Sequence, residues 1–190
     1  MNSVTREEFQ LRFDEFKMLI EDGCLFIHPT DTIYGLGCDA TNKQSVKKIR
    51  DLKNKHEGPF SVIVPDKSWI FENCHITPNA RAWIDKLPGP YTLILPLKHR
   101  DSVAHNVNFG LESIGVRMPK HWILGYVEKL GVPIVTTTAN KMGENFANSP
   151  EHFHPDISSK VDFVIFEDEK ICRPSMLVDL TGEEEVLIKR

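Results

Sequence analysis

The residues with chemistry to offer lie at the ends of apolar segments. Thr30 and Thr32 flank Asp31 just after the apolar run Cys24–His28. Ser113 opens the run Ser113–Met118, in which Arg117 lies; Thr136, Thr137, Thr138 and Asn140 follow Pro133; Ser175 precedes the apolar stretch Met176–Leu180. Ligands on open α/β sheets gather at strand ends, where small hydroxyl and amide groups grip carboxylate or phosphate oxygens without adding bulk. A threonine-rich strand explains each segment on its own equally well, because threonine favours β structure. Among the cations, Lys47 and Lys48 read as a solvated helix face. Lys53 stands at the C-terminal end of the same stretch, where the helix dipole favours positive charge, and Lys55 adjoins the turn Gly58-Pro59. Both are candidates for meeting phosphate. Arg117 sits between Val116 and Met118 in an apolar strand and must find an anion. Either a ligand carboxylate or a structural partner, Asp31 or Asp39, meets that need.

Several chemistries are missing. There is no GxxxxGK[ST] or GxGxxG, Gly35-Leu36-Gly37 lacks a third glycine, and no GxSxG or Ser-His-Asp order occurs. His152-x-His154 with Cys172 completes no recognised ligand spacing, so no metal site is expected. Cys24, Cys38, Cys74 and Cys172 form no CxxC pair, which suits reduced and often buried thiols. A net charge of −4 argues against a non-specific nucleic-acid binder while leaving room for a local basic patch.

These side chains need a scaffold. A chain of 190 residues, 41% hydrophobic and 26% charged, suits one globular domain over residues 1–190 with its own core. No run of about 18 apolar residues and no signal-like N-terminus occurs, so a cytoplasmic location is expected. Thr5 and Glu8 form a capping box ahead of Phe9, Phe13, Phe16 and Ile20, predicting one helix ending at Gly23. Further helices are expected over Lys43–Lys53, around Trp69-Ile70, from the Thr77-Pro78 cap to Leu87, and over His121–Leu130. Strands are expected over Cys24–His28, Phe60–Val64, Tyr91–Leu95, Ser113–Met118, Pro133–Thr137, Val161–Phe166, Met176–Leu180 and Val186–Ile188. Ile33–Cys38 is apolar with two glycines, a sign of close backbone approach. The polar stretches Lys98–Glu112 and Lys141–Ser149 are expected to be loops. The order predicts an α/β (α+β) layered domain with one twisted mixed sheet flanked by helices and an open concave ligand site.

Six segments, read together, resemble the YrdC-type threonylcarbamoyl-AMP synthases: Pro29-Thr30-Asp31-Thr32-Ile33-Tyr34-Gly35-Leu36-Gly37, Lys53 with Lys55, Pro88-Gly89-Pro90-Tyr91-Thr92, Val116-Arg117-Met118-Pro119, Thr137-Thr138-Ala139-Asn140, and Pro174-Ser175 before Val178-Asp179. The resemblance implies a nucleotidyltransferase that joins L-threonine, bicarbonate and ATP into threonylcarbamoyl-AMP and pyrophosphate, with Mg2+ sharing the phosphate charge. The product would pass to a transferase complex that modifies an adenosine of tRNA, with weak tRNA binding as a further implication. Carried over by position, Thr32, Arg117, Thr138 and Ser175 bind threonine. Lys53, Lys55, Ser113, Asn140 and Asn148 bind ATP, the two lysines acting in catalysis. The sequence departs from the family pattern at Lys55 for arginine, Thr138 for serine and Met176 for threonine, and Lys189-Arg190 replaces an arginine followed closely by glycine. A diverged RNA-binding paralogue of the same fold is the alternative, and a carbamoyl-transfer domain ranks third.

Overall fold

The computed structural model describes residues 3–140, 149–170 and 173–188. Ten strands form one sheet: β1 (Ser3–Thr5), β2 (Phe26–His28), β3 (Gly35–Gly37), β4 (Ser61–Ile63), β5 (Tyr91–Pro96), β6 (Ser113–Arg117), β7 (Ile134–Thr138), β8 (Phe163–Phe166), β9 (Met176–Asp179) and β10 (Val186–Ile188). Their order is β1-β8-β2-β3-β7-β4-β6-β5-β9-β10. Parallel pairs (β1 with β8, β2 with β8, β4 with β6, β5 with β9) mix with antiparallel ones. The helices are α1 (Arg6–Leu11), α2 (Phe13–Glu21), α3 (Lys43–Lys53), α4 (Lys67–Asn73), α5 (Pro78–Asp85), α6 (Ile123–Leu130) and α7 (Pro155–Ser158).

Side-chain alternation along each strand sorts the core into two layers. Ile27, Val62, Val135, Val164, Val116 and Leu93 point to one face and pack with α3, α4, α5 and α7. Their neighbours Phe26, Ile63, Ile134, Phe163 and Ile165 point to the other, under α1, α2 and α6. Beyond the reach of those three helices the same face is polar: Ser61 pairs with Thr136 and with Gly115, and Gly35 pairs with Thr138. The second face is therefore roofed over one half and polar over the other.

The expected elements fall close to place, and α3 has the expected bounds. The single helix expected from Thr5 to Gly23 is instead two, broken at Arg12, whose φ of −107° and ψ of 25° leave the helical region. Its capping box is present: Thr5 Oγ1 accepts from the Glu8 amide at 3.1 Å, and Glu8 Oε2 accepts from the Thr5 amide at 2.7 Å. β1 has no sequence signal of its own; pairing with β8 makes it a strand. The polar segment 141–148 and the pair 189–190 lie outside the described residues. Among the described residues no helix is long and apolar enough to cross a membrane.

One buried cation pins the loops beside the site. Arg50, 5% exposed, donates to the carbonyls of Asn106 (2.6 Å), Lys55 (3.0 Å), Gly58 (2.9 Å) and Val107 (3.2 Å). Its guanidinium lies 4.5 Å from the Phe60 ring centre and 5.0 Å from that of Phe109. Burial lowers its pKa, and the carbonyl oxygens together with the two rings solvate the charge in place of a carboxylate. Replacing it (Arg50→Met) strands four acceptors and should lower folding stability by about 2–4 kcal/mol, read as the urea unfolding midpoint.

Candidate functional site

The polar half of the second face is where the site residues meet. It carries two glycines. A Cβ on Gly35 would stand 2.8 Å from the His28 ring and from Thr136 Oγ1, and one on Gly115 would stand 2.8 Å from Ser61 Oγ. Neither position has room for a side chain, because the His28 ring and Thr136 close over Gly35 and Ser61 closes over Gly115.

Arg117 projects from β6 on this face and meets the loop after β2. It is 5% exposed, and among the described residues it donates through Nη2 to Asp31 Oδ1 (2.5 Å), Thr32 Oγ1 (2.6 Å) and Thr30 Oγ1 (3.3 Å). Nε is buried without a partner. Of the two acidic partners open in the sequence, the structure selects Asp31; Asp39 accepts instead from the amide and hydroxyl of Thr41, each at 2.8 Å. Burial lowers the Arg117 pKa against the opposing pull of Asp31. The loop that supplies these oxygens is itself fixed. Thr30 Oγ1 donates to the Ile33 carbonyl at 2.7 Å, and Asp31 Oδ2 accepts from the Lys120 amide at 2.9 Å.

Lys53 enters from the end of α3. Its ammonium donates to the carbonyls of Thr138 and Asn140, each at 2.5 Å, and Thr138 Oγ1 lies 3.4 Å away. The side chain expected to face phosphate is thus 4% exposed and tied to main chain at the end of β7. Lys55 points elsewhere, donating to the Pro59 carbonyl at 2.8 Å with its ammonium 4.9 Å from the centre of the Phe60 ring. Ser175 shares a 2.7 Å hydrogen bond with Thr92 on β5. Ser113 shares the face of β6 with Arg117 but stands four residues away, about 13 Å along a strand. Thr32 therefore meets Arg117, Thr138 and Asn140 meet Lys53, and Ser175 meets Thr92; Ser113 lies at the far end of β6, and Asn148 lies outside the described residues.

Three contributors escaped the sequence reading. Ser61 sits in an apolar strand and faces Gly115; its only signal is a hydroxyl amid Phe60, Val62 and Ile63. Thr92 belongs to a quoted motif but gains meaning only as the partner of Ser175. Glu167 braces the rim: it accepts from Trp122 Nε1 (2.7 Å), from His121 Nε2 (2.9 Å) and from Lys170, while its backbone amide donates to the Tyr34 hydroxyl at 3.0 Å. His121 Nδ1 accepts from the Ile123 amide at 3.3 Å, which leaves the proton on Nε2. Burial raises the Glu167 pKa, but the bonds from Lys170, Trp122 and His121 outweigh it and hold the carboxyl at about 2. The histidines considered for metal are used locally: His152 Nδ1 lies 3.1 Å from Ser149 Oγ, and His154 Nδ1 accepts from the Asp156 amide at 3.1 Å. Cys172 lies outside the described residues. Cys24, Cys38 and Cys74 are buried free thiols, and burial pushes Cys24 and Cys74 up to about 12.

Comparison with known proteins settles the lineage. The family model Sua5_yciO_yrdC, described as telomere recombination, matches residues 18–190. The chain belongs to the Sua5/YciO/YrdC family. A Methanocaldococcus jannaschii relative provisionally named a threonylcarbamoyl-AMP synthase is 31% identical over 98% of this chain and 88% of its own. A Pyrococcus abyssi threonylcarbamoyl-AMP synthase is 30% identical over 94% of this chain and 55% of its own length. The crystal structure of P. abyssi Sua5 complexed with L-threonine superposes with a TM-score of 0.87 at 28% identity, covering 99% of this chain and 56% of that one. The chain thus spans about half the length of the P. abyssi proteins it matches. The expected fold, one mixed sheet flanked by helices, is that of the family.

A buried histidine in this member of the Sua5/YciO/YrdC family makes stability depend on pH. His28 is 1% exposed, with Nδ1 3.3 Å from the Pro29 carbonyl. Burial lowers its pKa from 6.5 to about 4. The unfolded chain therefore takes up a proton that the folded one refuses. Stability from this group is complete above pH 6.5 and is lost as pH falls towards 4. His28→Gln should reduce that slope, measured as urea midpoints across the interval. His121, also held down by burial, retains part of it.

Proposed function

We propose that this chain is a threonylcarbamoyl-AMP synthase: a nucleotidyltransferase acting on L-threonine, bicarbonate and ATP. The observation that carries the reading is Arg117, a buried guanidinium with an unpartnered Nε, ringed by threonine hydroxyls. Its support comes from the family and from relatives named for this activity. A carboxylate approaching side-on would take Nε and Nη2 together, the planar fork that arginine offers and lysine does not. To do so it displaces Asp31. Thr32, Thr138 and Ser175 then surround the rest of the amino acid. The threonine amine takes up bicarbonate as a carbamate, releasing water. A carbamate oxygen attacks the α-phosphorus of ATP, and pyrophosphate leaves with the electron pair of the broken P–O bond.

No protein nucleophile is required. The work of the site is to hold two anions side by side and to meet the charge on the leaving pyrophosphate. We assign the phosphates to the Lys53 end of the site, with Asn140 beside it; Lys55 joins them by swinging from Pro59, and Ser113 lies at the distant end of the same face. Mg2+ would ride on phosphate oxygens, an ion that needs no all-protein cage. Among the described residues no three His, Cys, Asp or Glu side chains gather as one. Product transfer to a tRNA-modifying complex, weak tRNA contact and a cytoplasmic location belong to the same proposal.

The direct test is pyrophosphate release that requires threonine and bicarbonate together, with the adenylate identified by mass spectrometry. ATP turnover indifferent to threonine would favour a diverged paralogue. Asp31 supplies a second test. Asp31→Asn leaves Arg117 without a carboxylate, a loss of about 3–5 kcal/mol for a broken buried pair. L-Threonine should raise the melting temperature of that variant more than that of the unaltered protein, because its carboxylate fills the vacated place. An equal shift in the two proteins would place the amino acid away from Arg117.

A further inference from the structure

Among the described residues, two side-chain nitrogens are buried without a partner, Arg117 Nε and His28 Nε2. They are opposite in kind. The first is an N–H with no acceptor. The second is a lone pair with no donor, because Nδ1 carries the imidazole proton and turns it to the Pro29 carbonyl, 3.3 Å away. A buried polar atom left unpaired costs stability, so each one calls for an explanation. The proposed function supplies one for Arg117 and leaves His28 unused.

Strand register puts the histidine on the same face as the site. β2 sets it opposite Gly35, and β3 sets Gly35 opposite Thr138. Its ring lies along β3: a Cβ on Gly35 would stand 2.8 Å from Cε1 and Nε2, and one on Gly37 would stand 3.1 Å from Cδ2. Two glycines in one short strand thus make the bay that admits the ring. Nε2 comes to rest beside Thr136, whose Oγ1 is 2.8 Å from the same Gly35 position. Arg117 closes in from the other side. Its Nη2 is 3.3 Å from Thr30 Oγ1, two residues beyond His28, and its charge helps to lower the histidine's pKa.

An α-amino acid answers both unpaired atoms at once. Its carboxylate brings acceptors, and its amino group, on the neighbouring carbon, brings N–H donors. We propose that His28 Nε2 accepts an N–H from the amino group of the substrate whose carboxylate Arg117 holds. This rests on the threonine reading of the site and adds the end of the molecule at which the carbamate forms. The contact outlasts that step, since a carbamate nitrogen keeps one hydrogen. An imidazole whose pKa is lowered to about 4 stays an acceptor at neutral pH and does not keep the proton that the amine must shed. Pro29, the residue after His28, opens the loop that carries Asp31, so displacing Asp31 moves the chain beside both atoms. The resulting preference is for an amino acid over an acid of the same shape without the amine.

L-Threonine and 3-hydroxybutanoate, which has the carboxylate and the hydroxyl but no amine, separate this role from a structural one. Calorimetric titration of the full chain should show threonine binding at least about tenfold tighter. His28→Phe keeps a ring over the two glycines and removes the acceptor. It should weaken threonine about ten- to a hundredfold and leave 3-hydroxybutanoate unchanged. His28→Gln returns an acceptor oxygen and should recover part of the loss. In the unaltered protein, threonine should shift the nitrogen magnetic resonance of His28 Nε2 and 3-hydroxybutanoate should leave it in place, a readout that needs no variant to fold. Threonine bound equally well by His28→Phe, both ligands weakened together, or an Nε2 resonance indifferent to threonine would each overturn the inference and leave the threonine site at Arg117 standing. A protein that binds no threonine at all would overturn the proposed function and this inference with it.

Discussion

A guanidinium sealed against a sheet has to be surrounded by oxygen, and much of this structure answers that requirement. Arg117 is 5% exposed in a strand whose other side chains build the core. The loop after β2 turns back to offer it Thr30, Asp31 and Thr32, and the Lys120 amide in turn fixes Asp31. The supply of oxygen is incomplete, because Nε has none. An ion pair in such a place adds little to stability by itself; under the proposed function it keeps the cation aimed until a substrate carboxylate takes the place of Asp31.

Structure and ligand readings of Arg117 looked like rivals when only the sequence was considered; the structure shows the first, and the proposed function makes the second its successor. Asp31 is the structural partner; a substrate carboxylate is the proposed replacement. Lys53 shows a related lesson. Its place at a helix end was legible, as was the α3 boundary, since Asn42 caps one end and Asn54 adopts the left-handed conformation at the other. Its contacts with the carbonyls of Thr138 and Asn140 were not, because a helix and a strand more than 80 residues apart meet only in the fold. The same holds for the Thr92–Ser175 pair and for Ser61. Short-range signals such as the Thr5 capping box, Thr77-Pro78 and Gly131 announced elements reliably. β1 and the break at Arg12 depend on neighbours, and no local pattern carried them.

Arg50, buried like Arg117, divides the labour with it. Arg50 donates to main-chain carbonyls from all three of its guanidinium nitrogens and is closed off by two aromatic rings, so it can only build. Arg117 donates through Nη2 and leaves its buried Nε without an acceptor among the described residues. Two arginines of equal exposure thus have opposite prospects, and the difference is read from which nitrogen lacks an acceptor, not from burial.

The anchoring of Lys53 has a consequence in entropy. A free lysine side chain surrenders about 1.5–2 kcal/mol of rotamer freedom when it is immobilised. Here the ammonium is already held by two carbonyls before any ligand is present. That loss falls on the folding of the chain and not on the capture of an anion, so a phosphate arriving at the end of β7 meets a charge whose position is already decided.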